Sequence, residues 1–316
     1  DQLNLLTTLQ FQSLLTSQVQ ALTSDQLNNL QSDDLQTLTT AQIKALTTAQ
    51  MGALSSAQVA LLETRDIAAM TTAQAAELST SAIAGMTTDQ FKALTTAALN
   101  ALTSAQIGAI ETDDLAILST AQFSKLTTTQ LTQLSTEQIQ AFTTAQIQSL
   151  TTTVMAALTS DQLNNLASDA LAAMTTGQVR NLTTNQLSAL SSAQLALIES
   201  RDIAALTADQ AKVLSTAAIS QLSTAQASAL TTAAINGLTS DQLAALSTTA
   251  VAALTSLQIS KLSTAQLVLL SSDQIAALGT AQANALTTSQ LVALTSSQLN
   301  SLCLLYTSPS PRDAHE

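Results

Sequence analysis

Apolar and polar residues recur along this chain with a strict period of eight. Residues 38–45, Leu-Thr-Thr-Ala-Gln-Ile-Lys-Ala, show the unit, and the same frame runs from Leu6 to Ser301 without insertion or deletion, giving 37 octads. We number the octad positions 1 to 8 from the leucine. Positions 1 and 6 are apolar in every octad, position 3 is Ser or Thr in all but one, and position 5 is Gln in 26. This regularity predicts a repeat architecture.

Each octad carries the signal for the start of a helix. With Thr39 as N-cap, its hydroxyl can accept from the backbone N–H of Gln42, whose side chain can reach back to the N–H of Thr39, completing a capping box. Leu38 and Ile43 then occupy the two positions of a hydrophobic staple. Because the next cap arrives eight residues later, the pattern predicts helices of about six residues.

Three other folds compete with a solenoid of short helices. One long helix fits badly, because eight residues advance about 80° beyond two turns and the leucine row would wind around the helix. A β-solenoid would use Gly, Asn or Pro at its corners, whereas the array has six Gly and no Pro. Disorder is not expected either, because a chain with 46% hydrophobic residues can bury a core. The prediction is an all-α solenoid with one short capped helix per octad, and a β-solenoid is the alternative.

Stacking must supply the stability of these helices, because isolated helices shorter than about 12 residues are marginal in water. We expect positions 1 and 6 to pack on neighbouring octads, with contacts confined to neighbours as in other solenoids. The capping box does not use the hydroxyl at position 3. Our hypothesis is that these hydroxyls form a row of hydrogen bonds between adjacent octads.

A longer period lies over the octads. Residues 22–29 recur identically at 158–165, and residues 62–69 recur in closely similar form at 198–205, both at an offset of 136 residues or 17 octads. We therefore predict one repeat array over residues 1–301, with super-repeats at 22–157 and 158–293 and partial copies on either side. Asp1 falls on position 4 of an octad, so we expect the chain to come from a longer protein.

The frame ends at residue 302. All Cys, Tyr, Pro and His residues of the chain lie in its last 14 positions, namely Cys303, Tyr306, Pro309, Pro311 and His315. This tail, residues 302–316, resembles translated adaptor read-through at the ends of environmental gene predictions. The alternative is a genuine disordered tail, and in neither case do we expect it to carry a function.

Composition argues against several functions. The array has no His, Cys or Tyr, so it offers no nucleophile–base pair and no zinc site, and we expect that it is not an enzyme and binds no cofactor. Its basic residues are scattered singly within a net charge of −12, which argues against nucleic-acid binding. Every octad contains polar residues, so we expect no membrane span.

Four acidic octads depart from the pattern. At Asp34, Asp66, Asp114 and Asp202 an acid replaces the position 5 glutamine, and position 2 is Gln or Glu instead of Ser or Thr. Glu111, Asp113 and Asp114 are weak candidates for calcium ligands, because they supply several hard oxygens. The alternative, which we prefer, is an altered cap in which first-turn acids favour the helix dipole, with Arg65 and Arg201 as local counter-charges.

The octads resemble those of very long, repetitive bacterial proteins that are often taken to be surface-associated or secreted and adhesin-like. The resemblance covers residues 1–301 and transfers no site residues. It implies an extracellular or cell-surface location and a stalk-like role. The function that we expect is a structural spacer, with partners, if any, bound as proteins or glycans by domains outside this sequence. The alternative is a binding module that uses one solenoid face for a protein, a glycan, calcium or ice.

Overall fold

Residues 3–307 are described by a computed structural model, and they form an all-α solenoid of short helices. Contacts divide the chain into two compact units. Unit 1 comprises residues 1–158 and 165–167, and unit 2 comprises residues 159–164 and 168–316. The boundary between them falls close to the start of the second super-repeat at residue 158.

Unit 1 begins with a single 3-10 turn, Leu3–Leu5, and continues with 19 α-helices. They are α1 (Thr8–Gln12), α2 (Thr16–Gln20), α3 (Ser24–Asn28), α4 (Ser32–Gln36), α5 (Thr40–Ala45), α6 (Thr48–Ala53), α7 (Ser56–Leu61), α8 (Thr64–Ala69), α9 (Thr72–Glu77), α10 (Thr80–Ala84), α11 (Thr88–Ala93), α12 (Thr96–Ala101), α13 (Ser104–Gly108), α14 (Thr112–Ala116), α15 (Thr120–Phe123), α16 (Thr128–Thr132), α17 (Thr136–Gln140), α18 (Thr144–Ser149) and α19 (Thr152–Ala157).

Unit 2 contains the remaining helices of the described residues. They are α20 (Ser160–Asn164), α21 (Ser168–Ala172), α22 (Thr176–Arg180), α23 (Thr184–Ala189), α24 (Ser192–Leu197), α25 (Ser200–Ile203), α26 (Ala208–Lys212), α27 (Thr216–Ser220), α28 (Thr224–Ala229), α29 (Thr232–Gly237), α30 (Ser240–Ala245), α31 (Thr248–Ala253), α32 (Ser256–Lys261), α33 (Thr264–Leu267), α34 (Ser272–Ala276), α35 (Thr280–Asn284), α36 (Thr288–Ala293) and α37 (Ser296–Thr307).

Each helix starts where the capping box predicted. In α5 the N-cap is Thr39, with an extended backbone at φ −76° and ψ 155°. Its N–H donates to Oε1 of Gln42 at 2.8 Å, and its Oγ1 accepts from the N–H of Gln42 at 3.3 Å. Two of the backbone donors left free at a helix start are thereby involved in capping. The predicted cap, its partner and the helix length are confirmed.

The six-residue helices end where the next position 1 residue returns to extended backbone. Leu46, which follows α5, has φ −54° and ψ 135°, and Leu54, which follows α6, has φ −62° and ψ 132°. None of the described residues has a positive φ, so no glycine is needed to terminate a helix. One extended residue and one extended cap therefore lead from a six-residue helix into the next, whereas after a shorter helix such as α1 the first connecting residue, Ser13, keeps a helical backbone.

Within each unit, a helix packs mainly against the third helix along the chain, as α2 does against α5 and α26 against α29. Three octads thus complete one turn of the solenoid. The aromatic residues show how the core is shared between turns. Phe123, at position 6 of its octad, meets Phe142, at position 1 three octads later, with ring centroids 4.7 Å apart at an interplanar angle of 87°. This is the favourable edge-to-face arrangement.

Positions 1 and 6 form the core, as predicted, and Ile43, Leu54 and Phe91 are almost fully buried. Position 5 is a correction to that prediction, because its glutamines are buried too, as at Gln42 and Gln90. Residues 3–307 contain no β-strand, so the β-solenoid alternative is wrong, and so is the single long helix. None of their helices has the length and apolar character needed to cross a membrane.

The last helix, α37, runs 12 residues from Ser296 to Thr307 and passes the end of the repeat frame. The next N-cap position is occupied by Cys303 rather than Ser or Thr, so the sequence provides no capping hydroxyl to begin a new helix. Residues 302–307 of the predicted tail are therefore helical. Its remaining residues, 308–316, lie outside the described residues.

Two glycines at the same octad position test how closely the turns approach. A Cβ added at Gly52 would lie 2.8 Å from the backbone oxygen of Glu77, whereas at Gly108 the nearest atom, the backbone oxygen of Gln133, is 3.8 Å away. We expect Gly52→Ala to lower the free energy of unfolding by about 1–3 kcal/mol, because two backbones must separate. Gly108→Ala should be neutral or stabilising by up to about 1 kcal/mol. Equal effects in thermal melts would contradict this packing.

Candidate functional site

The glutamine at position 5 joins one turn of the solenoid to the turn before it. Oε1 of Gln90 accepts from the backbone N–H of Thr87 at 2.8 Å, which caps its own helix. Nε2 of the same side chain donates to the backbone oxygens of Val59 at 2.8 Å and Leu62 at 2.7 Å. One buried amide thus serves the start of α11 and the end of α7, where the Val59 oxygen also accepts from the backbone N–H of Leu62 at 3.1 Å.

This bond recurs in the same register in both units. In unit 2, Nε2 of Gln242 donates to the backbone oxygens of Ala211 at 3.0 Å and Leu214 at 2.6 Å, again 31 and 28 residues earlier. We call this interaction the cross-turn amide bond. It is made by Gln42, Gln50, Gln58, Gln74, Gln90, Gln106, Gln122, Gln130, Gln138, Gln146, Gln194, Gln210, Gln226, Gln242, Gln258, Gln266, Gln274, Gln282, Gln290 and Gln298.

The cross-turn amide bond was missed from the sequence, although position 5 carried a signal for it. A capping box accepts Glu as readily as Gln, because only an acceptor oxygen is needed. Glu nevertheless occurs at position 5 in none of the 37 octads. The absence of Glu therefore favours an amide donor over a carboxylate of the same length, and Gln282 shows the donor in use where the N-cap, Gly279, has no hydroxyl, since its Nε2 donates to the backbone oxygens of Val251 at 3.0 Å and Leu254 at 2.6 Å.

The acidic octads keep the backbone of the cap and lose its side-chain hydrogen bond. Glu63 and Glu111 at the N-cap have the same extended conformation as Thr39, yet neither side chain caps its helix. The predicted alteration of the cap is therefore confined to side chains. Arg65 lies 3.0 Å from the Glu63 carboxylate, as Arg201 does from Glu199, which confirms the arginines as local counter-charges.

The buried aspartates of these octads occupy the place of the glutamine amide. Oδ1 of Asp202 accepts from Oγ1 of Thr176 at 2.5 Å, so a position 3 hydroxyl bonds to an octad three further along. Our hypothesis of hydroxyl bonds between adjacent octads is wrong for this pair. Thr40 precedes Asp66 at the same spacing. Neither of the two buried oxygens of Asp66 has a donor at full hydrogen-bonding distance and angle.

Burial is the main influence on three of these carboxyls. It raises the pKa of Asp66, an effect that the nearby Arg65 guanidinium reduces. Burial also raises the pKa of Asp114, against a hydrogen bond from Thr88, and that of Asp34, where Asp33 adds to the effect. An ionised carboxylate in these places opposes folding at neutral pH, because its charge is removed from water.

The three calcium candidates lie on one short helix start but face different surroundings. Glu111 and Asp113 are exposed, whereas Asp114 is buried in the solenoid. Within residues 3–307, no three His, Cys, Asp or Glu side chains are placed so that they could hold a metal ion. The structure thus does not bring the three together as a ligand set. Calcium binding stays a prediction, which circular dichroism with and without calcium tests.

The chemistry that this arrangement supports is internal hydrogen bonding. In the part of the chain that is described, the ion pairs join residues of a single octad, as between Lys92 and Asp89 at 3.5 Å. These ion pairs accordingly act within single octads. The repeated functional group of this protein is the position 5 amide, and what it does is hold successive turns together.

Comparison with known proteins agrees with this repeat architecture. A family model described as the ALTTAQ repeat matches residues 27–62, 59–96, 107–144, 165–197, 228–256 and 252–280. These segments cover more than half of the chain, and the six letters themselves occur at residues 45–50. No curated protein matches the sequence.

The importance of the amide can be tested by replacing it with a carboxylate of the same shape. Gln90→Glu keeps the acceptor for Thr87 but removes the donor to Val59 and Leu62. We expect a loss of about 3 kcal/mol or more in the free energy of unfolding at pH 7, because buried acceptors lose their donor and a charge is buried. Acid should relieve part of the loss, since a protonated carboxyl can donate.

The control for this substitution is Gln26→Glu, at the same octad position in α3. Gln26 caps its helix in the same way, with Oε1 2.9 Å from the Thr23 nitrogen, but it is exposed and makes no cross-turn amide bond. We expect it to be nearly neutral in denaturant titrations. A loss as large as that of Gln90→Glu would show that the cap, not the cross-turn bond, decides stability.

Restoring the amide in an acidic octad should stabilise the fold. We expect Asp66→Gln to raise the melting temperature at pH 7, because burial raises the pKa of Asp66 and its ionised form therefore costs stability there. As the pH falls through that raised pKa, the aspartate becomes neutral and the advantage of the variant shrinks. The exposed Asp25→Gln is the control. A gain for Asp66→Gln that stays constant from pH 7 to acid would contradict this view.

Proposed function

Because this chain belongs to the ALTTAQ-repeat family, whose tandem units here build a structural repeat array, we propose that it acts as a non-catalytic spacer. The spacer would belong to a large secreted or surface-attached bacterial protein, where it holds other domains at a set distance. The observation that supports this proposal best is the recurrence of the cross-turn amide bond in one register in both units. A part whose task is length needs every unit to join the next in the same way.

The outer surface also favours a spacer over a binding module. Exposed positions such as Ala41 and Lys44 are followed mostly by other small or polar residues at the same places in later octads, with Leu257 as an exception. Position 7 alone varies among Ala, Lys, Gly, Gln, Asn, Ser, Arg, Thr and Val, as expected where no ligand restricts the side chain. A binding face would require a contiguous set of related side chains.

The spacer proposal predicts that length grows in proportion to the number of octads. Inserting residues 22–157 once or twice in phase after residue 157 adds 17 octads each time. Three octads per turn and a separation of about 10 Å between stacked helices give about 55 Å per block. We expect small-angle X-ray scattering to show two equal increases in the largest dimension, at concentrations where the protein is monomeric, with little change in the melting temperature.

A block that carries four extra residues serves as the control. It breaks the eight-residue frame and should lower the melting temperature, because Gln side chains after the junction lose the carbonyls 28 to 31 residues earlier. A largest dimension that does not increase with the in-phase blocks would overturn the spacer proposal.

A further inference from the structure

Helices that lie three octads apart share one side of the solenoid, and one such side of unit 1 collects most of its charge. The helices α5, α8, α11, α14 and α17 form a stack, since each packs against the next. Residues 38–141, which span this stack, contain ten exposed Asp, Glu, Lys or Arg residues. Eight of the ten lie on the stack, and we call them the charged face: Lys44, Glu63, Arg65, Asp89, Lys92, Glu111, Asp113 and Glu137.

The other two sides of residues 38–141 carry little charge. Glu77 on α9 and Lys125 just after α15 share a second side, and the third side, formed by α7, α10, α13 and α16, has no charged residue. Position 4 is alanine in α6, α9, α12 and α15 on the second side. On the charged face the same position is charged in four successive turns, at Arg65, Asp89, Asp113 and Glu137. The charges of unit 1 therefore follow the turn of the solenoid, although position 7 varies along the whole array.

Positive and negative charges occupy different ends of the charged face. Its three cations lie on the first three helices of the stack, at Lys44, Arg65 and Lys92. The octads of the last two helices, α14 and α17, expose only carboxylates, at Glu111, Asp113 and Glu137. Lys44 at one end and Glu137 at the other take part in no ion pair of the described residues. One end of the face thus lacks anions for its lysine, and the other end lacks cations altogether.

We infer that the charged face binds the charged face of a second copy of this chain, with the two stacks antiparallel. When one stack is reversed about its central helix, α11, the helix α5 of one copy lies opposite α17 of the other, and α8 lies opposite α14. Lys44 of one copy then faces Glu137 of the other, and Arg65 faces Asp113. The two-fold symmetry repeats each of these contacts, because the same surface is used on both copies.

The order of the charges favours this partner and this orientation. In a parallel arrangement each octad would meet itself, so the carboxylates of α14 and α17 would face the same carboxylates, which like-charge repulsion opposes. A uniformly basic partner would complement α14 and α17 but would be repelled by Lys44 and Arg65. A reversed second copy offers the opposite sign at both ends. Because the contact is symmetric, association stops at two copies.

The dimer should be weak, because ion pairs at a protein surface contribute little individually. This inference goes beyond the spacer proposal and does not require it, since two charged faces can pair whether or not the array separates other domains. A chain that fails to lengthen with added octads can still form the dimer, and a chain that acts as a spacer can still be monomeric.

Sedimentation velocity of the full chain over a range of concentrations tests the inference. At about 0.15 M ionic strength the Debye length is about 8 Å, so the net charge of −12 is screened more than charges in contact. We expect the sedimentation coefficient to rise with concentration towards that of a dimer. Lys44→Glu and Glu137→Lys each turn two symmetry-related attractions into repulsions, so each should lower the association constant about tenfold.

Combining the two substitutions in one chain tests the antiparallel orientation. The double variant Lys44→Glu, Glu137→Lys again sets opposite charges against each other and should associate like the parent. A mixture of the two single variants should likewise form a heterodimer of parental strength. Because the double variant contains both substitutions, its recovery would also show that neither one acts by disturbing the fold.

Two matched controls lie on another side of the same stretch. Lys125→Glu and Glu77→Lys change the net charge by the same amounts at exposed residues outside the charged face, so both should associate like the parent. A parent that stays monomeric, or a double variant that associates no better than the single variants, would overturn the inference. Controls as weak as Lys44→Glu and Glu137→Lys would overturn it too, since association would then not depend on this face.

Discussion

A side-chain amide solves the main difficulty of building a protein from helices of four to six residues. In so short a helix, a large share of the backbone N–H and C=O groups lie within the first or last turn, where the helix itself supplies no partner for several of them. Gln90 supplies an acceptor to the start of one helix and a donor to the end of another, and it is buried because it lies between them. Where position 5 is Gln, this arrangement favours the burial of leucine at position 1 and the stacking of every third helix, since carbonyls left without donors in the core would oppose close packing.

Variation at position 5 shows how much the solenoid tolerates. Ala98 is fully buried in place of a glutamine, so the carbonyl of Met70, 28 residues earlier, receives no amide there. Asp202 reverses the direction of the bond by accepting from Thr176. Because each turn contacts mainly its neighbours, such a local loss is confined to one junction and is offset by the regular junctions on either side. The acidic octads are therefore understood as variants of the same junction.

Much of the fold could be predicted from one octad, because capping and burial are local properties. Thr39 and Gln42 have the predicted roles, and positions 1 and 6 form the predicted core. The number of octads per turn could not be predicted, since an eight-residue period does not state which later helix returns to the same place. The donor role of Nε2 was missed for that reason, even though the absence of Glu at position 5 pointed to it. The helix over residues 302–307 was not predicted, because the octad pattern that indicates a helix ends at residue 301.

In every cross-turn amide bond, the glutamine donates to the backbone oxygen of a residue 28 to 31 positions earlier in the chain. During synthesis from the N-terminus, the partners of each new glutamine have consequently already emerged, and a turn can close as soon as its own octads are available. The sequence separation of these contacts does not increase with the length of the array, so the entropy lost in closing a turn stays constant. A longer chain of this kind should fold by adding turns one after another, without a search that grows with its size.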